Sequence, residues 1–418
     1  MKPKSVMFIA GEASGDLLGA ELARALREEL ADAEGGPTTD YQPLRGGLEP
    51  RFFGAGGPRM AAAGVRLAFD LTAHSVIGLS DVVRHYATFR RLFGQLLRLA
   101  RERQPEAIVC VDFSGFNSRF ARAVKRYARA RRDWFHDWDP KLIQYVSPQV
   151  WASRAGRARQ LARDCDLLLS IFPFERAWYA ARVPGLPVEF VGHPLVDRYQ
   201  REEATRSEGT ARPGQDAQAT AKPTVVLLPG SRRAELKRHL PVVLEAARRL
   251  AAAAPVSFRM VLPNESLAQY ARPYAARAPG LEVQVGGLAA ALARADLALT
   301  KSGTVTLECA FFGVPAVVFY KTSLSTYLVG KRLVKVKYLA MPNLLADAPV
   351  FPEFIQGAAT GERLAGAARE LLCDAARRAE VKRRLTAVVA SLGPPGAARR
   401  AAKAIAWLLG ETKSGNTR

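Results

Sequence analysis

The stretch Leu227–Glu235 combines the residue types that bind a phosphate group. An apolar run predicts a buried strand that stops at Pro229-Gly230 and leads into Ser231, which we expect to be the N-cap of the next helix. Free backbone N–H groups and the positive end of the helix dipole would then point at one spot. Arg232 adds a planar cation that can hold a phosphate through two hydrogen bonds. Taken alone, the stretch could equally be an ordinary turn beside a solvated arginine.

A second turn of the same kind follows the predicted strand Leu297–Thr300. The sequence Lys301–Glu308 (KSGTVTLE) places Gly303 between the hydroxyl side chains of Ser302 and Thr304, at the predicted start of a helix. Two phosphate-type turns in one half of the chain favour a nucleotide site over two ordinary turns. A carboxylate one turn into this helix could take both hydroxyls of a ribose, and Glu308 has that position.

Asp112 is the candidate general base, because it directly follows the apolar run Ala107–Val111. The carboxyl ends of parallel strands are where α/β enzymes commonly hold catalytic groups. The alternative is that this carboxylate only caps the following helix. His193 lies in a loop after the predicted strand Val188–Val191, which suits a catalytic residue, although structural histidines are also common there.

A glycine turn also follows the first predicted strand, Val6–Ala10. Its sequence, Gly11–Asp16 (GEASGD), leads into a helix expected from about residue 16 to 30. The apolar run before it is short and is followed at once by acidic residues, which favours a strand over a signal peptide. The later glycines of Arg51–Pro58 resemble a dinucleotide fingerprint, but their spacing does not match G-x-G-x-x-G.

Strands and helices alternate through both halves of the chain, which predicts two doubly wound α/β domains. We expect the first over residues 1–198, a polar and mobile insert over 199–222, and the second over 223–390. The first helix of the second domain is expected over about Pro241–Ala254. Residues 391–418 should form a C-terminal helix that crosses back to the first domain. Shorter polar inserts are predicted at 34–50 and 131–140.

Composition limits the partners of the chain. Its 418 residues have a formal net charge of +22, which suits an anionic surface or reflects an arginine-rich source. No nucleic-acid-binding motif accompanies this charge, so we expect no nucleic acid partner. Four widely spaced cysteines argue against a zinc ribbon or a disulfide framework. No apolar run reaches the roughly 18 residues that a membrane span requires.

Residues 75–99 mix apolar side chains and arginines in one amphipathic stretch. An interfacial membrane helix requires this pattern. A helix that faces the core and carries arginines on its outer side gives the same pattern and is the preferred interpretation from sequence.

Eight short motifs stand in a fixed order along the chain: Gly11–Asp16, Gly57–Met60, Tyr145–Trp151, Phe190–Pro194, Leu228–Arg232, Ser302–Glu308, Lys331–Lys335 and Pro342–Leu345. Together they resemble the lipid-A-disaccharide synthase family (glycosyltransferase family 19), from residue 5 to about residue 356 apart from the polar inserts. The resemblance implies a GT-B fold, in which two Rossmann-like domains face an inter-domain cleft. It also implies an inverting transfer of diacylglucosamine from UDP to the 6-hydroxyl of diacylglucosamine 1-phosphate, giving a β-1,6 disaccharide 1-phosphate and UDP.

Roles for residues follow from the matching motifs. Asp112 would be the base, while Arg232 with Gly230 and Ser231 would hold the UDP phosphates. The remaining substrate-binding candidates are Glu12, Ser14, Gly15, Asp16, Asn117 and His193 for the sugars, Ser302, Gly303 and Thr304 for the phosphates, and Glu308 for the ribose. The family pattern Asp-x-Pro-Asp-Phe-Asn is altered here, because Ser114 and Gly115 replace its proline and second aspartate. This change concerns acceptor details such as acyl-chain preference.

The resemblance also implies partners and a location. The donor is a UDP-sugar, and we expect no further cofactor and no metal, because no acidic cluster with metal-ligand spacing is visible. Acylated substrates suggest a cytoplasmic protein that binds the anionic inner face of the cytoplasmic membrane peripherally. A homodimer is compatible with the sequence.

Two alternatives stay open from the sequence. One is another UDP-sugar enzyme of the same fold, with a different acceptor or with UDP-N-acetylglucosamine 2-epimerase activity. The epimerase would require acid–base carboxylates on both faces of the sugar, and only Asp112 is well placed. The other is a basic nucleic-acid-binding protein, which would bind DNA or RNA with a steep salt dependence and release no UDP.

Overall fold

The computed structural model describes residues 4–32, 50–74, 86–207, 222–278 and 280–414. Most of the predicted inserts at 34–50 and 199–222, and residues 75–85 of the amphipathic stretch, lie outside these ranges. The chain divides into two compact units. The first comprises the chain up to Val150, Arg154–Asp197 and the chain from Pro394 onward, and the second comprises Trp151–Ser153 and Arg198–Gly393.

The first unit is built on a seven-stranded sheet with the order β3-β2-β1-β4-β5-β6-β7, in which all neighbours are parallel. Its strands are β1 (Ser5–Ala10), β2 (Arg51–Gly56), β3 (Arg66–Asp70), β4 (Ala107–Val111), β5 (Lys141–Tyr145), β6 (Leu167–Ser170) and β7 (Val188–Phe190). The central strand β4 is buried along its whole length, as expected of a parallel sheet that is covered on both faces. Sequence order reverses between β1 and β4, so their carboxyl ends form a switch point, where ligands bind in such sheets.

The second unit has a six-stranded parallel sheet with the order β10-β9-β8-β11-β12-β13. Its strands are β8 (Thr224–Leu228), β9 (Ser257–Leu262), β10 (Leu281–Val285), β11 (Leu297–Lys301), β12 (Ala316–Tyr320) and β13 (Glu353–Ile355). Here the switch point lies between β8 and β11. The two predicted phosphate-type turns follow these two strands directly, so the topology makes them neighbours.

Helices connect the strands in both units. They are α1 (Ala13–Asp32), α2 (Pro58–Ala62), α3 (Tyr86–Arg103), α4 (Ser114–Ala130), α5 (Val150–Ser153), α6 (Arg157–Asp164), α7 (Pro173–Ala180), α8 (Pro194–Ser207), α9 (Arg233–Ala253), α10 (Glu265–Ala275), α11 (Leu288–Leu292), α12 (Val305–Phe311), α13 (Leu324–Leu333), α14 (Met341–Ala346), α15 (Gly361–Cys373), α16 (Ala375–Ser391) and α17 (Ala397–Ser414). Short 3₁₀ turns occupy Thr72–His74 and Gln356–Ala358. The last helix, α17, packs on α1 within the first unit. Asp197 accepts hydrogen bonds from the N–H groups of Gly396 and Ala397 at its start.

The two sheets confirm the predicted α/β class, but several elements differ from expectation. The edge strands β3 and β13 were not predicted. Helix α9 begins at Arg233 and contains Pro241, which was expected to start it. Helix α8 continues to Ser207, into the segment predicted as a mobile insert. Across the described ranges, no helix is both long and apolar enough to cross a membrane.

Candidate active site

Asp112 lies at the switch point of the first sheet, directly after β4. It has a left-handed backbone (φ 47°), and so does the next residue, Phe113 (φ 43°). Two consecutive non-glycine residues in this region store strain, which persists only where the surroundings hold it. The Asp112 N–H donates to the Tyr145 carbonyl at 2.8 Å, which ties the turn to the end of β5.

Two buried amide side chains hold the strained turn. The Nδ2 of Asn117 donates to the carbonyl oxygens of Asp112 (2.8 Å) and Val111 (3.2 Å). The Nε2 of Gln144 donates to the carbonyl oxygens of Asp112 (3.3 Å) and Val146 (3.1 Å). The Asn117 side chain is completely buried and contacts backbone carbonyls, and its role as a sugar ligand stays a prediction. Gln144, inside a strand, was missed altogether.

The surroundings of Asp112 suit a base. Burial, and next the negative charge of Glu12, raise the pKa of Asp112 above its usual value, while the hydrogen bond from the Phe113 N–H lowers it. A raised carboxyl pKa makes the carboxylate a stronger proton acceptor. The structure thus brings Glu12 and Asp112, two predicted site residues, close enough for their charges to interact.

The glycine turn after β1 contributes less than predicted. Helix α1 begins at Ala13, so the exposed Ser14 and the buried Gly15 lie in its first turn. Asp16 is only 3% exposed, and its carboxylate accepts three backbone N–H groups at 2.8 to 3.0 Å, those of Gly57, Arg59 and Met60. Asp16 therefore stabilises the start of α2, and its role as a sugar ligand stays a prediction.

His193 is also buried, and its Nδ1 accepts the Leu195 N–H at 3.1 Å in the first turn of α8. A ring that accepts at Nδ1 carries its proton at Nε2 when neutral, which fixes the tautomer. The ring lies 5.4 Å from that of Phe172. This contact caps the start of α8, and the role of His193 in sugar binding stays a prediction.

In the second unit, the turn after β8 differs from the prediction at its helix end. The N-cap of α9 is Arg232 and not Ser231. The Ser231 N–H donates to Oε2 of Glu235, which folds back from the first turn of the helix at 2.9 Å. Gly230 has a φ of 138°, which glycine alone adopts without strain. The Arg232 side chain is exposed.

The turn after β11 is fixed by hydroxyl groups. The Thr306 Oγ1 donates to the Gly303 carbonyl at 2.7 Å and accepts the Met341 N–H at 3.2 Å. Ser302, predicted as a phosphate donor, gives its hydroxyl proton to the Leu339 carbonyl at 2.8 Å, so it can meet a ligand only as an acceptor in this arrangement. Thr304 is exposed at the start of α12 and stays available for such a role.

Two charged residues at these turns were missed as site residues. The Lys301 Nζ donates to Oε1 of Glu235 at 3.0 Å, which links the turn after β11 to the turn after β8. Burial opposes ionisation of Glu235, but the charge of Lys301 and the Ser231 N–H hold its pKa below the usual value. Both residues lie within the motifs that predicted the site, so position in the motif was a usable signal.

His239 belongs to none of the sequence motifs, yet it holds the turn that follows β8. It is fully buried, and its Nδ1 lies 2.6 Å from the Pro229 carbonyl oxygen. Its Nε2 lies 3.1 Å from the Lys321 nitrogen and 3.0 Å from the Lys321 carbonyl oxygen. A proton on Nδ1 serves the Pro229 contact and leaves Nε2 to accept the Lys321 N–H. Burial lowers the pKa of His239, which favours this neutral form.

Glu308 lies on α12, as its predicted ribose role requires. The Tyr199 hydroxyl donates to its Oε2 at 2.7 Å. The ring of Tyr199 packs against those of Phe311 and Phe312, at centroid distances of 5.2 and 4.9 Å. Tyr199 therefore orients the carboxylate, a role that its sequence position did not indicate.

Known proteins place this arrangement in a family. A model of the lipid-A-disaccharide synthetases matches residues 6–406. The lipid-A-disaccharide synthase of Geobacter metallireducens is 37% identical over 414 residues, which cover 98% of each chain. That of Anaeromyxobacter dehalogenans is 38% identical over 405 residues, which cover 96% of each chain.

Solved structures support the fold. A putative UDP-N-acetylglucosamine 2-epimerase from Listeria monocytogenes aligns with a TM-score of 0.60 at 15% identity over 98% of each chain. A calicheamicin glycosyltransferase aligns with a TM-score of 0.57 at 15% identity, over 98% of this chain and 99% of that one. At such identities the likeness shows the fold alone. The family model and the sequence relatives go further, and they show that this chain belongs to the lipid-A-disaccharide synthase family.

Proposed function

We propose that this chain is the inverting glycosyltransferase that forms the lipid A disaccharide. It moves 2,3-diacylglucosamine from UDP to the 6-hydroxyl of 2,3-diacylglucosamine 1-phosphate, and it releases the β-1,6-linked disaccharide 1-phosphate and UDP. Family membership along nearly the whole chain carries this proposal. A carboxylate with a raised pKa at the first switch point and two phosphate-type turns at the second support it.

Asp112 supplies the base. Its carboxylate takes the proton from the acceptor 6-hydroxyl as that oxygen attacks the anomeric carbon, and the bond from this carbon to the UDP oxygen breaks. Attack from the face opposite UDP inverts the configuration. Asn117 and Gln144 hold the Asp112 backbone in its strained conformation, so the carboxylate is positioned before the acceptor binds. General base catalysis of this kind contributes about 10²- to 10⁴-fold to a rate.

The second unit binds the leaving group. Negative charge grows on the diphosphate as the glycosidic bond breaks, and Arg232 beside the Gly230 turn stabilises it. Glu308, oriented by Tyr199, accepts the ribose hydroxyls. We propose that these protein groups do the work without a metal ion. The ranges covered by the structure contain no group of three or more His, Cys, Asp and Glu side chains arranged to hold one.

One assay tests the reaction. Purified protein is incubated with UDP-diacylglucosamine and diacylglucosamine 1-phosphate, with and without EDTA, and the disaccharide phosphate and UDP are quantified. We expect both products in equal amounts and no effect of EDTA. Formation of an epimerised UDP-sugar without disaccharide would instead support the epimerase alternative.

Two variants test the residue roles. Asp112→Asn should lower kcat about 10³-fold and leave UDP affinity unchanged. Arg232→Ala should weaken UDP binding and lower the rate. The matched control is Arg233→Ala, because the Arg233 guanidinium lies over the Tyr270 ring at 4.9 Å and should not touch the donor. Full turnover by Asp112→Asn, or equal UDP binding by Arg232→Ala and the control, contradicts the respective assignment.

We also propose that the first unit docks on an anionic membrane surface. Within the described part of the 75–99 stretch, Leu92 and Leu96 of α3 are buried in the core, so its apolar side is not available to lipid. The outer face offers exposed arginines at positions 90, 91 and 98 for lipid headgroups. The predicted insert at 131–140 adds Trp134 and Phe135, which are 96% and 89% exposed. Tryptophan prefers the interface between lipid and water.

Vesicle co-sedimentation tests the docking surface. We expect binding to vesicles that contain an anionic phospholipid, weaker binding to neutral phosphatidylcholine vesicles, and release by salt. Trp134→Ser with Phe135→Ser should reduce binding, because it removes the two exposed aromatic rings. Equal binding of this variant and the unmodified protein would exclude the aromatic pair from the surface.

A further inference from the structure

An ion pair between Lys301 and Glu235 links the two phosphate-type turns of the second unit. One carboxylate oxygen of Glu235 accepts from Lys301 and the other from the Ser231 N–H. The side chains are mostly enclosed, with 19% of Lys301 and 16% of Glu235 exposed. Neither residue belongs to the groups assigned above to base, phosphate or ribose.

The ion pair packs against two glycines, Gly230 and Gly303. A Cβ atom added to Gly230 would lie 2.5 Å from Oε2 of Glu235, so the carboxylate rests directly on that turn. A Cβ atom added to Gly303 would lie 3.6 Å from Nζ of Lys301, so the ammonium rests on the other turn. Glycine permits a ligand to approach the backbone closely. The pair therefore packs against both of the turns to which the proposed function assigns the donor diphosphate.

A carboxylate and a phosphate group compete for the same hydrogen-bond donors. Both are anions, and both accept hydrogen bonds from an ammonium and from a backbone N–H. Two anions at one spot repel each other, while Lys301 cannot fully neutralise both. The pair must therefore separate for the diphosphate to take the Lys301 ammonium.

We propose that Glu235 is an internal occupant of the donor diphosphate site, which the diphosphate displaces to take over Lys301. This inference rests on the proposed function. In the empty site Glu235 holds Lys301 and the Ser231 N–H in place. When the donor binds, the Lys301 ammonium moves from the carboxylate to a phosphate oxygen. After transfer, Glu235 competes for Lys301 again, which speeds release of UDP.

Calorimetric titration with UDP tests the exchange, because two variants should change the UDP affinity in opposite directions. Glu235→Gln keeps the shape and an acceptor for the Ser231 N–H but removes the competing charge, so UDP should bind about five- to tenfold more tightly. Lys301→Met removes a phosphate ligand, and UDP should bind at least about tenfold more weakly. Glu245→Gln on the same helix, where Glu245 pairs with the exposed Arg248 and Arg249, removes an equal charge and should change nothing.

A structural pair predicts another pattern. If Glu235 and Lys301 only held the turns together, both variants would bind UDP more weakly, so weaker or unchanged binding by Glu235→Gln overturns the inference. Unchanged binding by Lys301→Met does so as well. In steady state, Glu235→Gln should lower KM for the donor and strengthen product inhibition by UDP, which a loss of folding stability cannot do. If the unmodified protein binds no UDP, the donor site itself is wrong, and this outcome is distinct from the others.

Discussion

Replacing Asn117 by alanine should separate the positioning of the base from its chemistry. The variant loses two hydrogen bonds, of 2.8 Å to the Asp112 carbonyl and 3.2 Å to the Val111 carbonyl, each worth about 1 kcal/mol. A small cavity adds to the loss. Two features reduce it. Gln144 still reaches the Asp112 carbonyl at 3.3 Å, and the Asn117 Oδ1 that disappears is a buried atom with no partner among the described residues.

The net cost is therefore about 2–3 kcal/mol of unfolding free energy, or roughly 4–12 °C in the thermal midpoint of a unit of this size. Catalysis should suffer separately. Without Asn117 the left-handed Asp112–Phe113 turn can relax, and displacement of a reacting group by about 1 Å costs about 10²-fold in rate. We expect kcat to fall about 10- to 100-fold while UDP affinity, which we assign to the second unit, stays unchanged.

The assay combines calorimetric unfolding with steady-state kinetics at a temperature where the variant is folded. Ser118→Ala is the matched control, because the Ser118 hydroxyl donates only to the Ser114 carbonyl on the outside of the same helix. A folded Asn117→Ala variant that kept kcat within twofold of the control would refute the argument. Asn117 would then stabilise the fold without positioning the base.

Three further predictions concern the neighbouring groups. Glu12→Gln removes a negative charge that raises the pKa of Asp112, so the acid limb of the kcat/KM profile should move to lower pH; a limb that stays in place would mean that burial alone sets this pKa. Asp16→Ala leaves two buried N–H groups and one partly buried N–H group without their acceptor, and it should cost about 3–5 kcal/mol in denaturant unfolding. A cost below about 1 kcal/mol would contradict its structural role. Tyr199→Phe keeps the packing of the ring but removes the 2.7 Å hydrogen bond to Glu308. The KM for the UDP-sugar should then rise several-fold while kcat stays unchanged. An unchanged KM would argue against ribose binding by Glu308.

The fold could be predicted where burial leaves a strong pattern. Central strands such as β4 and β8 are nearly continuous apolar runs. The carboxyl end of β8 is marked by Pro229-Gly230 and that of β4 by Asp112. The edge strand β3 alternates exposed and half-buried residues, and β13 has only three residues, so neither shows such a run. Pro241 does not start α9 but lies in the third turn of this 21-residue helix, a place that depends on packing, which the sequence does not display.

The sequence points to the turns of the candidate site, but it does not show which backbone or side-chain groups each residue contacts. A polar residue beside a glycine turn has the same sequence pattern whether it contacts a substrate or the backbone. Asp16 and Asn117 were predicted to bind sugars, yet both are buried and hold backbone groups. Conversely, Gln144 and His239 lie on a strand and a helix, and only their contacts with the turns connect them to the site.

These buried side chains explain how the turns after β4, β8 and β11 can be rigid. A turn with left-handed residues has little intrinsic preference for one shape, so its geometry must come from groups packed beneath it. Asn117 and Gln144 serve the Asp112 turn, His239 serves the Pro229-Gly230 turn, and Thr306 serves the Gly303 turn. Each of these side chains contacts a backbone carbonyl oxygen of its turn. Conservative changes at these positions should therefore lower the rate or the UDP affinity through the shape of the turns.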